Sequence, residues 1–110
     1  MKLSAVVKYL DAQSAAAIVG YEVEGRCDYA DYLLLVSAKN TVHLNALIHG
    51  LYKEVKKTVG ASPIISGQSD SGWVILDSGS VVVHAMLAET RRHYDLDHLV
   101  SSFANQVDHF

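Results

Sequence analysis

Hydrophobic positions change their period several times along the chain, and each change predicts an element. Leu3, Val6, Val7 and Leu10 recur at intervals of three and four, which predicts a short amphipathic helix over residues 2–13. Ile18, Val19, Tyr21 and Val23 predict a strand within residues 15–23, with Glu22, Glu24 and Gly25 as its polar exit into a turn. Tyr32 to Ser37, YLLLVS, is a continuous apolar run of the length expected for a central strand buried on both faces. Ala38-Lys39-Asn40 then makes a tight strand-to-helix turn, where Asn40 or Thr41 can cap the next helix by accepting from an otherwise unpaired amide. In that helix Leu44, Leu47, Ile48, Leu51, Val55 and Val59 form one stripe, Lys53, Glu54, Lys56 and Lys57 lie largely off it, and Gly60 ends it.

Ser62 to Ser66 predicts a short strand at a sheet edge, where Pro63 costs no ladder hydrogen bond, and Gly67 to Gly72 a loop. Two further apolar runs, Trp73 to Leu76 and Val81 to Met86, flank Asp77-Ser78-Gly79-Ser80, which has the chemistry of a tight hairpin. With Ser78 and Gly79 as the loop, Asp77 pairs with Ser80, Leu76 with Val81, Ile75 with Val82, Val74 with Val83 and Trp73 with His84. Alternation then puts Trp73, Ile75, Asp77, Val82 and His84 on one face and the wholly apolar Val74, Leu76, Val81 and Val83 on the other. The apolar face meets the core; the amphipathic face is covered by a helix or open to a partner. Ala88 to Tyr94 turns helical or irregular, and Asp95 caps a last helix with the stripe Leu96, Leu99, Val100, Phe103 and Val107. This order predicts a single α/β domain over residues 1–110, a mixed sheet of about five strands with flanking helices.

A chain of 110 residues, half of them hydrophobic, can bury a working core without metal or disulfide staples. The formal charge of −3 argues against general nucleic-acid binding and leaves room only for a local basic patch. Cys27 is the single cysteine, which excludes an internal disulfide and any multi-cysteine metal site, and it has no helix-start context to lower its pKa. No apolar run approaches the roughly 20 residues of a bilayer span, and the start of the chain has no signal-peptide or transit pattern. A soluble, cytoplasmic protein without membrane partners is therefore expected.

Candidate chemistry thins out when its spacing is tested. His43 and His49, six apart on one helix, project about 120° from one another, and a break at Asp95 separates His93 from Asp97 and His98. No HExxH or Cys-His pattern is present, so no metal site and no cofactor is expected. Ser78 or Ser80 with His84 and Asp77 can be drawn as a triad, yet Ser and Asp are ordinary hairpin-turn residues and there is no GxSxG elbow. The helix start at Ser37 to Thr41 is the one turn where amides could receive a phosphate. His84, a lone histidine in a strand, reads as a packed group before it reads as a ligand or base, while Trp73 suits a core and a binding hot spot alike. Arg91 and Arg92, followed by His93 and Tyr94, suit a bidentate, partly stacked contact with carboxylate or phosphate on a macromolecular partner, or a solvated helix face closing on Asp95 and Asp97.

Taken in order, Ala30-Asp31-Tyr32, the Trp73 to Asp77 strand, Val81-Val82-Val83-His84, and Arg91 with Tyr94-Asp95-Leu96-Asp97-His98-Leu99 resemble the ribosomal silencing factor family, RsfS or Iojap, over about residues 3–100. The resemblance implies a nucleotidyltransferase-like fold without catalysis. It also implies a translation repressor that binds the large ribosomal subunit through that subunit's ribosomal protein fourteen and blocks joining of the small subunit. Some members are linked to large-subunit maturation. Trp73, Asp77, His84, Arg91, Tyr94, Asp97 and Leu99 are then the expected partner-binding residues. The family's Ser-Gly-x-Ser turn is replaced here by Ser37-Ala38-Lys39-Asn40, its Glu-Gly by Ser66 to Asp70, and its closing tryptophan by Val100. Two competing readings remain. One is a metal-dependent nucleotidyltransferase, for which the turn after Ser37 lacks the paired carboxylates and Asp31 lies at the wrong end of its strand; the other is a homodimer that pairs the hairpin face with itself.

Overall fold

A computed structural model describes residues 2–23 and 30–107; the Glu24–Gly25 turn and Cys27 lie outside them. Helix α1 spans Leu3–Ala12, strand β1 Ala16–Glu22, β2 Tyr32–Ala38 and helix α2 Thr41–Val59. They are followed by β3 (Ile64–Gln68), a single 3₁₀ turn, β4 (Trp73–Asp77), β5 (Val81–Leu87), helices α3 (Ala88–Tyr94) and α4 (Leu96–Ser101), and β6 (Asn105–Val107). The six strands form one sheet in the order β3-β4-β5-β2-β1-β6. Among the described residues only the central β2–β5 pair is parallel, joined by a connection that runs through α2, β3 and β4.

Both ends of α2 follow from local chemistry. Asn40 is extended and its side-chain oxygen accepts the His43 amide at 2.8 Å, while Gly60, at φ +83°, terminates the helix in the left-handed conformation. The predicted stripe is the buried one, Leu44, Leu47, Ile48, Leu51 and Val55, with Val59 half out of it. It packs with Val6 and Leu10 of α1 onto Leu34 and Val36 of β2, Val74 and Leu76 of β4, and Val81, Val83 and Ala85 of β5. A second, smaller core fills the opposite face, where Leu96, Val100 and Ala104 cover Tyr21, Val23, Leu35, Val82 and Met86. Val100, where the family pattern places tryptophan, faces inward into this core and is 5% exposed.

The structure departs from the sequence reading at four places. Asp95, expected to cap the last helix, stands before it at φ +49° and its side chain makes no capping hydrogen bond. The hairpin pairs Asp77 with Val82, Ile75 with His84 and Trp73 with Met86, two residues off the expected register. A longer turn wins because the Ser78 amide and hydroxyl both donate to the Val81 carbonyl, at 3.0 and 2.8 Å, and the Gly79 amide donates to Asp77 Oδ1 at 2.8 Å. A slip of two leaves every side chain on its face, so the expected division of faces holds. Strand β3 runs two residues later than expected, with Pro63 just before it, and it is an edge strand as predicted. The last helix stops at Ser101, leaving Leu99 and Phe103 exposed, and residues 105–107 become an edge strand on β1, so that the sheet has six strands.

Candidate functional site

Because α3 and α4 are short, they cover the β1–β2 side of the second face and leave Trp73, Ile75, Asp77 and His84 only half-buried. Trp73 stands at the start of β4, where Gly72 turns the chain at φ +78° and its carbonyl accepts the Leu87 amide at 3.0 Å. A side chain at Gly72 would meet Thr90 Oγ1 at 2.7 Å, so the tight approach of β4 to α3 requires glycine here. His84 lies between Ile75 on β4 and Leu35 on β2. The register slip makes Trp73 and His84 diagonal neighbours, and the indole Nε1–H donates to His84 Nδ1 at 3.1 Å. Tyr94, at the end of α3, packs against the indole at a tilt of 48° with ring centroids 5.3 Å apart, and His93 meets Tyr94 edge-on at 4.9 Å.

Three of the expected contact residues, Trp73, His84 and Tyr94, therefore form one aromatic cluster, with Tyr94 55% exposed. Leu99 is 57% exposed on α4, and Ile64, opposite Asp77 on β3, adds an exposed aliphatic group to the same sheet face. Asp77 shares that face, but one of its oxygens is committed to the hairpin turn. Sequence reasoning missed Ile64 and Phe103; Phe103 carries no local signal because its exposure depends on where α4 stops, and Ile64 because it depends on which strand forms the sheet edge.

Arg91 and Asp97 have a different part from the one expected. Arg91 is 7% exposed, and its guanidinium grips Asp97 as a fork, Nε to Oδ2 at 2.8 Å and Nη2 to Oδ1 at 2.7 Å. Its Nη1 donates to the Ala17 carbonyl at 2.7 Å and to Ser37 Oγ at 3.1 Å. The bidentate carboxylate read for a partner is thus the chain's own Asp97. Ala17 sits at φ +49° beside a bulge in β1, a left-handed conformation costing an alanine about 1 to 2 kcal/mol. Arg91 stabilises that turn and ties β1, β2 and α4 to α3. Ser37, the one polar residue of its apolar run, is buried in β2 to receive it. The turn after Ser37 is also internally engaged: the Lys39 amide donates to His43 Nδ1 at 3.0 Å, so the His43 proton is on Nε2, 2.9 Å from the Gln13 carbonyl it donates to. Among the described residues no group of three His, Cys, Asp or Glu side chains could hold a metal ion.

Burial holds His84 below the usual histidine pKa. An indole only donates, so the Trp73 hydrogen bond likewise requires Nδ1 to be unprotonated. The unfolded chain therefore binds more protons near and below pH 6.5, and folding stability falls as pH drops through that window. Trp73 is the only tryptophan, so its fluorescence reports the event directly. A fluorescence transition with its midpoint below 6.5 is expected in the native protein and absent from His84→Gln. A transition unchanged by that substitution would mean another group drives it.

A protein-family model described as "Ribosomal silencing factor during starvation" matches residues 1–109. The chain is 35% identical over 107 residues to the mouse protein "Mitochondrial assembly of ribosomal large subunit protein 1", covering 93% of this chain and 47% of that one; it thus spans about half the length of the mouse relative. It is 28% identical to "Ribosomal silencing factor RsfS" of Zymomonas mobilis, covering 90% of this chain and 74% of the relative. A crystal structure from Bacillus halodurans superposes with a TM-score of 0.79 at 26% identity, covering 97% of this chain and 96% of that one. One from Chromobacterium violaceum shares the fold with a TM-score of 0.80 at 21% identity, over 100% and 92% of the two chains. The family match over nearly the whole chain, on a fold shared with these structures, shows that the protein belongs to the RsfS or Iojap family of non-catalytic ribosomal silencing factors.

Proposed function

We propose that this protein binds the large ribosomal subunit through that subunit's ribosomal protein fourteen and so prevents the small subunit from joining. The observation that carries the reading is the half-open Trp73–His84–Tyr94 cluster, an aromatic anchor on the sheet face that also carries exposed Ile64, with Leu99 exposed on α4. Aromatic side chains contribute large contact area at low entropic cost and dominate interface hot spots. Arg91 and Asp97 serve this face indirectly, by fixing α3 and α4 beside it. The cytoplasm is the expected place of action, while the mouse and Arabidopsis thaliana relatives are named as mitochondrial. The name of the mouse relative favours a second reading, a role in assembly of the large subunit.

Sucrose-gradient co-sedimentation with separated subunits, coupled to a subunit-joining assay, tests the proposal. The protein is expected in the large-subunit fraction only, with joining reduced as it is added. Sedimentation with neither subunit would overturn the reading. Binding without an effect on joining would shift it to the assembly role. Light scattering adds the competing occupancy: a homodimer through the aromatic face would be displaced by large subunits.

A further inference from the structure

The fold separates charge that the sequence mixes. All six lysines, Lys2, Lys8, Lys39, Lys53, Lys56 and Lys57, fall on α1, α2 or the residues leading into them, and all are exposed. That layer carries only Asp11 and Glu54 in return. The remaining described residues hold seven carboxylates, Asp97 among them, against Arg91 and Arg92, and Arg91 is neutralised by Asp97. The described residues thus divide into a basic helical layer of net charge +4 and a remainder of net charge −5, of which one carboxylate, Asp70, lies in the turn beside His49 of α2. Among the described residues no lysine takes part in an ion pair; the two pairs are Arg91–Asp97 and His98–Asp95.

Within the basic layer the densest part is the end of α2. Lys53, Lys56 and Lys57 fall within an arc of about 100° of the helix, one turn beyond exposed His49. Glu54 points away, toward α1, where its charge acts on Tyr9 and adds to the effect of burial in raising that phenol's pKa. Like charges spaced three and four apart repel, by roughly 0.2–0.5 kcal/mol per pair. The helix dipole offsets this for the last turn, which contains Lys56 and Lys57 but not Lys53.

We infer that this stripe on α2 is a second contact surface, one for the phosphate backbone of RNA, on the opposite side of the sheet from Trp73. The chemistry is that of non-specific phosphate contact: exposed, unpaired, flexible ammonium groups in a row, with no aromatic platform for reading bases. An acidic protein segment would also be attracted, but the target particle of the family presents RNA phosphate over much of its surface. The inference rests on family membership and charge placement, and is independent of whether the aromatic face is the docking site.

Fluorescence anisotropy with a short single-stranded RNA tests it. The native protein is expected to bind with a strong salt dependence. The triple variant Lys53→Gln, Lys56→Gln, Lys57→Gln is expected to bind more weakly, its log-affinity slope against log-salt shallower by about 2, so that between 50 and 200 mM salt it loses roughly tenfold less affinity than the native protein. Trp73→Ala should bind RNA like the native protein, which separates failure here from failure of the ribosome-docking reading. A thermal melt of the triple variant matching the native one checks that the fold is intact. No RNA binding by the native protein, an unchanged salt slope in the triple variant, or tighter binding of the native protein to poly-glutamate than to RNA would each overturn the inference.

Discussion

Arg91→Ala is expected to lower the folding stability by about 2 to 4 kcal/mol, a large share of the 5–15 kcal/mol typical of a domain. The figure lies below that for a fully buried ion pair because the Asp97 side chain is 45% exposed and can be rehydrated. What cannot be rehydrated is the rest of the guanidinium's environment. Ser37 Oγ is buried, and the Ala17 carbonyl loses the donor that offsets its left-handed turn. The asymmetry of the pair sharpens the test. Asp97→Ala leaves a cation stranded at a 7% exposed position, whereas Arg91→Met fills the same volume without a charge, so Asp97→Ala should be the more destabilising of the two. Arg91→Lys should rescue little, because one ammonium cannot reproduce a fork with a separate arm for Ala17 and Ser37. Urea unfolding of the four variants decides the ranking. If Arg91→Met and Asp97→Ala are equally mild, the network is incidental.

The same pair sets the acid limit of the fold. The Arg91 hydrogen bonds hold Asp97 below the ordinary carboxylate pKa, against the opposing effect of burial. A depressed folded pKa gives stability that is present above the unfolded value and is lost as pH falls through the folded one. Acid unfolding of the native protein should therefore have a component below the usual carboxylate range that Asp97→Asn lacks.

Trp73→Ala is expected to weaken large-subunit binding by roughly 2 to 4 kcal/mol, about 30- to 1,000-fold in affinity. The indole is half-exposed, so truncation opens no sealed cavity, and the stability cost should be modest beside the binding cost. Tyr94→Ala removes the outer half of the same stack and should lose a smaller part of the affinity. His84→Gln should be milder still, since glutamine offers a replacement acceptor for the indole N–H. Co-sedimentation across a titration of subunits measures all three. A Trp73→Ala protein that folds and binds like the native one would move the docking site away from this face.

The chain's local code was easy to read where it repeats. Apolar spacing gave α1 and the stripe of α2, and the short side chain of Asn40 and the freedom of Gly60 marked the ends of α2. Alternation put Trp73, Ile75, Asp77, Val82 and His84 on one face, and that division survived a hairpin register slipped by two because strands repeat every two residues. The ordered motifs from Ala30 to Leu99 also carried the family resemblance, without any one of them being decisive.

Contacts between distant segments had no such code. Nothing near Arg91 in sequence announces that Ala17 and Ser37, 74 and 54 residues away, will accept its hydrogen bonds. Residues 105–107 are a strand only because β1 presents an open edge, and the exposure of Leu99 and Phe103 follows from the helix stopping short to reach it. The separation of six lysines from most of the carboxylates is likewise a property of layers, which a linear count of charge averages away. By itself the sequence determined the periods, the caps and the faces, since each is fixed by neighbours within about one turn or one strand pair. Tertiary structure alone decided which arginine is buried, which aromatic groups meet and where charge collects, because those depend on surfaces that exist only after the sheet has closed over its helices.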